Sequence, residues 1–177
     1  MGFFAIDDAE PVVRAWRAPG VEANVVRTFF HARLLPLVLL TRGCLVLHAS
    51  AVSQSDRAIA LTGVSGSGKS TLARTLATRG FDQIADDALV MDHVPLAAIV
   101  VLKQDVAHSG APVMTPLSGP RACLEVMAHA HVFNPEEDVV GLVSGYSSLA
   151  NHVPIYELRF RPDIRDVSTV AEAITKI

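Results

Sequence analysis

The eight residues Gly63-Val64-Ser65-Gly66-Ser67-Gly68-Lys69-Ser70 fit the spacing G-x-x-x-x-G-K-[ST] of a phosphate-binding P-loop. Glycines at 63, 66 and 68 let the backbone turn tightly with no Cβ in the way, so successive N–H groups, those of Ser65 and Ser67 included, can point at phosphate oxygens. The helix behind adds its positive N-terminal end. Lys69 would place an ammonium between the β- and γ-phosphates of ATP, the Ser70 hydroxyl would take one position on Mg²⁺, and Thr71 would complete the cradle. Asp86 and Asp87 form a second constellation. Carboxylates beside such a loop coordinate Mg²⁺, directly or through water, or accept a proton from an attacking hydroxyl. Side chains alternate along a strand, so one Asp would face the site and the other point away. A turn or helix-cap pair is the plainer reading of the same two residues.

The motif must sit between a strand and a helix, and the flanking sequence supplies both. Arg57 to Thr62 reads as a buried strand, and Ser70 to Arg79 as a helix whose Leu72, Ala73, Leu76 and Ala77 form a narrow apolar stripe, closed by Gly80. Cys44 to Val52 reads as one strand joined to the next by so short a turn that the pair must be antiparallel. Phe81 to Ala85 is the following strand, reached by a crossover and so expected parallel to the loop strand, with the acidic pair at its C-terminal end, where ligands bind in such sheets. Leu96 to Leu102 is continuously apolar, as befits a central strand buried on both faces.

Elsewhere the patterning is sparser. Residues 1 to 20 read as an edge hairpin or arm, and Val21 to Thr41 as one or two helices broken near Pro36. Helices are expected from about Ser118 to Asn134-Pro135, from Glu136 to about Ala150, and from Val170 to Ile177 with a cap near Ser168; Val153 to Phe160 is a strand. The expected class is α/β, a P-loop-containing mixed sheet flanked by helices. A length of 177 residues, half of them apolar, suits a single domain, with residues 1–42 an N-terminal arm and helices and 43–177 a nucleotide-binding core.

Composition narrows the functional classes. A formal net charge of −3 gives no global basic footprint for nucleic acid or an anionic membrane, and Trp16, Tyr146 and Tyr156 are too sparse for a base-stacking platform. The run Leu34 to Leu40 falls far short of the ~20 apolar residues of a membrane span. The first ten residues carry Asp7, Asp8 and Glu10 where an export signal needs basic residues. Cys44 and Cys123 lack metal-type spacing and suit a reducing compartment, so a soluble cytoplasmic protein is expected.

Taken together, Leu47-His48-Ala49-Ser50-Ala51-Val52, the loop Gly63 to Ser70, Thr71-Leu72-Ala73, Arg79-Gly80-Phe81 and Ala85-Asp86-Asp87 resemble the catalytic core of HPr kinase/phosphorylase and its relatives, a fold shared with PEP carboxykinase. His48 precedes Gly63 by fifteen residues and Asp86 follows Ser70 by sixteen, similar to that family's spacing. Arg33 to Val52 and Val153 to Phe160 look like the short peptide-kinase branch found with lasso-peptide systems. The resemblance implies transfer of the γ-phosphoryl group of ATP, with Mg²⁺, to a serine hydroxyl of a peptide or small protein. Asp86 would be the general base, Asp87 would support the metal or orient its neighbour, and His48 would sit near the phosphates and tune the carboxylate. Without the family, His48 is a histidine in an apolar strand. Family members that form rings raise the expectation of a homo-oligomer, with Phe29 to Leu40 as interface or core helix alike.

Two departures stand out. Thr71 occupies a position where HPr kinases proper tend to carry an acidic residue, which favours the peptide-kinase branch. Ala88 to Pro95 is shorter than the segment relatives carry there, so the acceptor platform is expected to be trimmed, supplied by a partner subunit, or absent from this stretch of sequence. Glu125, Glu136, Glu137 and Asp138 read as solvated helix ends. His129 and His131, two apart on an expected helix, would not share a face, and His31, His93, His108 and His152 have no partner at ligand spacing, so no zinc is assigned. A small-metabolite kinase and a non-catalytic ATP sensor are the alternative functions.

Overall fold

The computed structural model describes residues 3–6, 12–91, 95–131 and 139–177. Strands β1 (Phe3–Ile6) and β2 (Val13–Trp16) pair as an antiparallel hairpin separate from the main sheet. Helix α1 (Ala23–Phe29) runs through a π-helical turn at Phe30–Leu34 into α2 (Leu35–Thr41). Pro36 lies in the first turn of α2, where its missing N–H is least costly, and the wide turn just before it relieves the clash of its ring with the preceding carbonyls. The expected break near Pro36 is therefore a change of hydrogen-bond register within one continuous helical run.

The expected single strand Cys44 to Val52 is two strands, β3 (Val46–Leu47) and β4 (Ala49–Gln54), parted at His48. The His48 N–H donates to the carbonyl of His129 at 2.8 Å, outside the main sheet. β4 turns through Ser55 and Asp56, both left-handed at φ 52° and 61°, into β5 (Arg57–Thr62). Such a mirror-image turn matches the strand twist, and the hairpin is antiparallel as its short link requires. Helix α3 (Lys69–Ala77), β6 (Asp82–Ala85), β7 (Leu89–Val90) and β8 (Leu96–Gln104) follow. The chain then forms β9 (Val113–Leu117), α4 (Gly119–Met127), α5 (Val139–His152), β10 (Ile155–Phe160) and α6 (Val167–Ile174).

The main sheet is mixed, in the order β6-β4-β5-β8-β10-β9. β5, β8 and β10 run parallel, while β4 opposes both β5 and β6. β6 thus points the same way as β5, as its crossover predicts, but β4 lies between them. β7 leaves the sheet to pair with β3, and the apolar pattern signals neither β7 nor β9.

Alternation along β8 divides the core into two layers. Ile99 and Val101 face one way, packed with Ala60, Ala122, Val126 and Tyr146 under α4 and α5. Val100 and Leu102 face the other, against Leu72, Ala73, Leu76, Val170 and Ile174 of α3 and α6. Each fully buried leucine contributes about 1.5–3 kcal/mol by removal from water, so burial on both faces makes β8 the anchor of the sheet. The small Ala73 lets α3 lie close to the sheet, which fixes where its N-terminus points.

Several expected boundaries shift. α4 stops at Met127, the chain turns through Ala128 and His129, and Ala130 forms a bridge with Leu47 of β3. Asn134-Pro135 and Glu136 to Asp138 lie outside the described residues, as does His93. α6 starts at Val167 with Asp166 at its N-cap, three residues before the expected start. In the stretch Phe29 to Leu40, expected as interface or core helix alike, Pro36 and Val38 are buried and Phe29 is exposed. Among the described residues no helix is long and apolar enough to cross a membrane.

Candidate active site

The loop Gly63 to Gly68 joins the C-terminal end of β5 to the N-terminus of α3. Gly63, Gly66 and Gly68 all have positive φ, at 145°, 79° and 94°. Gly63 is the position that no other residue fits: a Cβ there would lie 2.7 Å from Ser67 Oγ and 2.9 Å from the Leu102 carbonyl oxygen. Gly68 caps α3 with left-handed backbone and no side-chain acceptor, so the first N–H groups of the helix have no partner within it. Ser65 and Gly66 are exposed at the loop's tip, and Ser67 is buried beneath it with its hydroxyl unpartnered. The Gln104 amide donates to the Gly66 carbonyl at 3.3 Å, tying the tip to the end of β8.

Lys69 folds back over its own loop, donating from Nζ to the carbonyls of Gly63 at 2.9 Å and Val64 at 3.2 Å. Burial holds it below the ordinary lysine value, while the negative charges of Asp87 and Asp86 act to raise it. Thr71 is exposed one position beyond Ser70.

The acidic pair stands where the end of β6 meets α3. Asp86 Oδ1 accepts from Ser70 Oγ and from Ser50 Oγ, both at 2.7 Å. Desolvation pushes the Asp86 carboxyl up, but the bonds from Ser50 and Ser70, the charge of Arg74 and a main-chain bond from Asp87 outweigh it and hold the group below its usual value. Asp86 is thereby kept ionised. The expectation that one Asp points away is corrected. Asp87 is left-handed at φ 70°, which interrupts strand alternation, and both residues line one cavity.

His48 meets the acidic pair at the main chain of Asp87. Its Nδ1 donates to the Asp87 carbonyl at 2.9 Å; a carbonyl accepts only, so Nδ1 carries the proton. His131 Nε2 donates to the same oxygen at 3.3 Å, and the two imidazole rings meet edge to face with centroids 5.6 Å apart. The helix ends at Met127, and the turn through Ala128 and His129 followed by the bridge at Ala130 breaks the helical spacing of His129 and His131. The buried His129 Nε2 has no hydrogen-bond partner; desolvation, followed by the charge of Lys103, holds the imidazole below its usual value.

Two cavities adjoin these groups. One, of about 240 Å³, lies against the loop and is lined by Gly66, Thr71, Leu72, Gln104, Phe160 and Asp163 among others. The other, of about 290 Å³, is lined by Asp86 and Asp87 and by Arg27, Thr28 and His31. His31, which has no partner at ligand spacing in the sequence, thus shares a cavity with the acidic pair. Sequence reasoning also missed Ser50, a small polar residue in an apolar strand, and Arg27. The i, i+4 spacing of Arg27 and His31 on one helical run was the available signal.

Among the described residues no group of three His, Cys, Asp or Glu side chains is placed to hold a metal. Ser70 and Asp86 do bring a hydroxyl and a carboxylate oxygen together, the hard oxygen donors that suit a Mg²⁺ shared with a nucleotide's phosphates. No family model and no curated protein matches the chain. Among solved structures the chain is similar to the Hpr(Ser) kinase/phosphatase from Coxiella burnetii, at 12% identity and a TM-score of 0.39, over 74% of this chain and 93% of that one. A likeness at that score establishes neither activity nor substrate.

Proposed function

We propose that the chain is an ATP- and Mg²⁺-dependent kinase that phosphorylates a serine hydroxyl of a peptide or small protein. The observation that carries the reading is the convergence of Ser70 and Asp86 at 2.7 Å beside the glycine-rich loop and Lys69. The unpartnered Ser67 hydroxyl and the free N–H groups at the start of α3 suit the phosphates of a nucleotide. The cavity beside Thr71, Phe160 and Gln104 has the mixed apolar and polar lining a nucleoside needs.

In this reading Lys69 swings from the carbonyls of Gly63 and Val64 onto the β- and γ-phosphates. Ser70 and Asp86, with Asp87 in support, would hold the metal. Bound Mg²⁺ would neutralise charge on the phosphates as it does in phosphoryl transfer generally. The serine oxygen forms a bond to the γ-phosphorus, the bond from that phosphorus to the β,γ-bridging oxygen breaks, ADP leaves, and the hydroxyl proton passes to Asp86. His48 and His131 hold the main chain at Asp87 rather than touching the reacting atoms. The chain as one domain and the cytoplasm as its compartment belong to the same proposal.

The test is transfer from γ-labelled ATP with Mg²⁺ into a size-fractionated extract of the native host, comparing wild type with Asp86→Asn. Label in a peptide or small protein, lost in the variant, supports the reading. A cavity of about 290 Å³ at the acidic pair would also accept a free metabolite, and label confined to the small-molecule fraction would select that second reading. Nucleotide binding without any transfer would leave the protein a sensor.

A further inference from the structure

Helix α1 is retained above the acidic pair without burying any of its residues. Val25 is 55% exposed and Phe29 39%. The helix is held from outside, by the stacking of Phe29 on Phe4 at 5.8 Å and by its continuation into α2, whose Pro36 and Val38 are buried. A helix that contributes so little burial gains little stability from its position, so what it presents there is informative. It presents Arg27, Thr28 and His31 to the cleft shared with Asp86 and Asp87. Arg27 and His31 are four apart and share a face, and His31 stands in the wide π-turn, a distortion that recurs at functional sites.

The guanidinium of Arg27 pairs with no carboxylate among the described residues. Arg74 of α3 and Lys69 are the cations whose charges interact with the Asp86 carboxyl, and neither lines the cleft. One wall carries the two carboxylates with Lys69 and Arg74 close by, and the other carries a guanidinium that has no carboxylate partner among the described residues.

We propose that this cleft is the acceptor site and that Arg27 recognises a carboxylate on the acceptor, so that the preferred substrate is a peptide whose serine is flanked by an acidic side chain. The proposal rests on the kinase reading above. With the serine hydroxyl at Asp86, a flanking carboxylate on the other side of the cleft would meet the planar fork of Arg27, which suits bidentate pairing. The charge pattern thus sets both the choice of acceptor and its direction across the cleft. The short segment from Ala88 onward, which pairs through β7 with β3, need not supply the platform, because the N-terminal helix does.

The test uses the full chain with a non-hydrolysable ATP analogue and Mg²⁺, and two fluorescent peptides that differ in having Glu or Gln on either side of one serine. Anisotropy should show the Glu peptide binding about tenfold more tightly, the size of one charge-assisted contact. Arg27→Ala should erase the difference. Arg27→Glu should reverse it in favour of a third peptide with Lys in the flanking positions, a gain that misfolding cannot imitate. Transfer from γ-labelled ATP is measured on the same peptides, and nucleotide affinity separately on each variant. Equal binding of the Glu and Gln peptides, or binding of neither, overturns the proposal. Loss of transfer to both peptides alike in Arg27→Ala also overturns it, since the guanidinium would then act on the phosphoryl group. Acid-selective binding with no transfer to any peptide would uphold the recognition and sink the kinase reading instead.

Discussion

Ser50 Oγ donates to Asp86 Oδ1 at 2.7 Å across two neighbouring strands. The register explains the meeting. Ala51 of β4 pairs with Ala85 of β6, which brings Ser50 opposite the residue just beyond the end of β6. Ser50 is fully buried, so this hydroxyl and that of Ser70 fix the carboxylate from the sheet on one side and the helix on the other.

Ser50→Ala is therefore expected to free Asp86 without disturbing the loop. A hydrogen bond to a charged group contributes about 1.5–3 kcal/mol, and denaturant unfolding should register a loss on that order. The bond favours the ionised carboxylate, so its removal raises the Asp86 pKa toward the usual aspartate value. A carboxyl NMR titration checks this directly. An unchanged midpoint would mean that Ser70 alone holds the group.

Gly63→Ala is expected to damage the loop more than substitution at Gly66, where an added Cβ meets nothing within 4 Å. At Gly63 the new methyl would press on Ser67 Oγ and the Leu102 carbonyl while φ stays near 145°. Strain of this kind costs about 1–3 kcal/mol before any clash is counted. Thermal unfolding and nucleotide affinity should both fall for Gly63→Ala, whereas Gly66→Ala should show the smaller effect on folding. Equal melting temperatures for the two variants would contradict the packing seen around Gly63.

Lys69 and Asp86 are expected to separate binding from chemistry. Lys69→Ala removes the ammonium that would leave the loop carbonyls for the phosphates, and tight ATP binding should be lost. Asp86→Asn keeps the shape and the capacity to accept from Ser50 and Ser70, so ATP still binds. Transfer should fall about 10²–10⁴-fold, the usual cost of a missing general base. Calorimetric titration with ATP beside a transfer assay tests the division, and equal loss of affinity in both variants would count against it.

The fold and the loop are legible in the sequence because each has a strong local pattern. The unbroken apolar run at Leu96 to Leu102 reads as a strand buried on both faces, and it lies third from one edge of the sheet and fourth from the other. The hairpin of β4 and β5 follows from its short link alone. What the pattern conceals arises where the chain changes partners without changing composition. Cys44 to Val52 is uniformly apolar apart from His48 and Ser50, yet the strand breaks at His48 because its N–H goes to His129 in place of the sheet. Helical periodicity puts His129 and His131 on different faces, whereas the helix ends at Met127 and the bridge of Ala130 to Leu47 leaves His131 beside His48. Ser50 leaves no periodic signal, since its role depends on register with a strand more than thirty residues away.

His129 provides a pH test that is independent of catalysis. Its folded-state pKa lies below the ordinary value of 6.5 because burial disfavours the charged ring. Above that value the ring is neutral in both states and pH does not matter. As pH falls below about 6.5, the unfolded chain takes up a proton that the folded chain refuses, so the equilibrium shifts toward unfolding. Stability should therefore decline on acidification through this window and level off below the folded pKa. His129→Phe removes the titration together with a buried Nε2 that has no partner. An unsatisfied buried polar atom costs about 1–3 kcal/mol, so the substitution should be neutral or stabilising at pH 7 and should flatten the slope between pH 6.5 and the folded pKa. Urea unfolding of wild type and variant at matched pH values measures both effects. A slope that persists in His129→Phe would assign the acid sensitivity to another histidine.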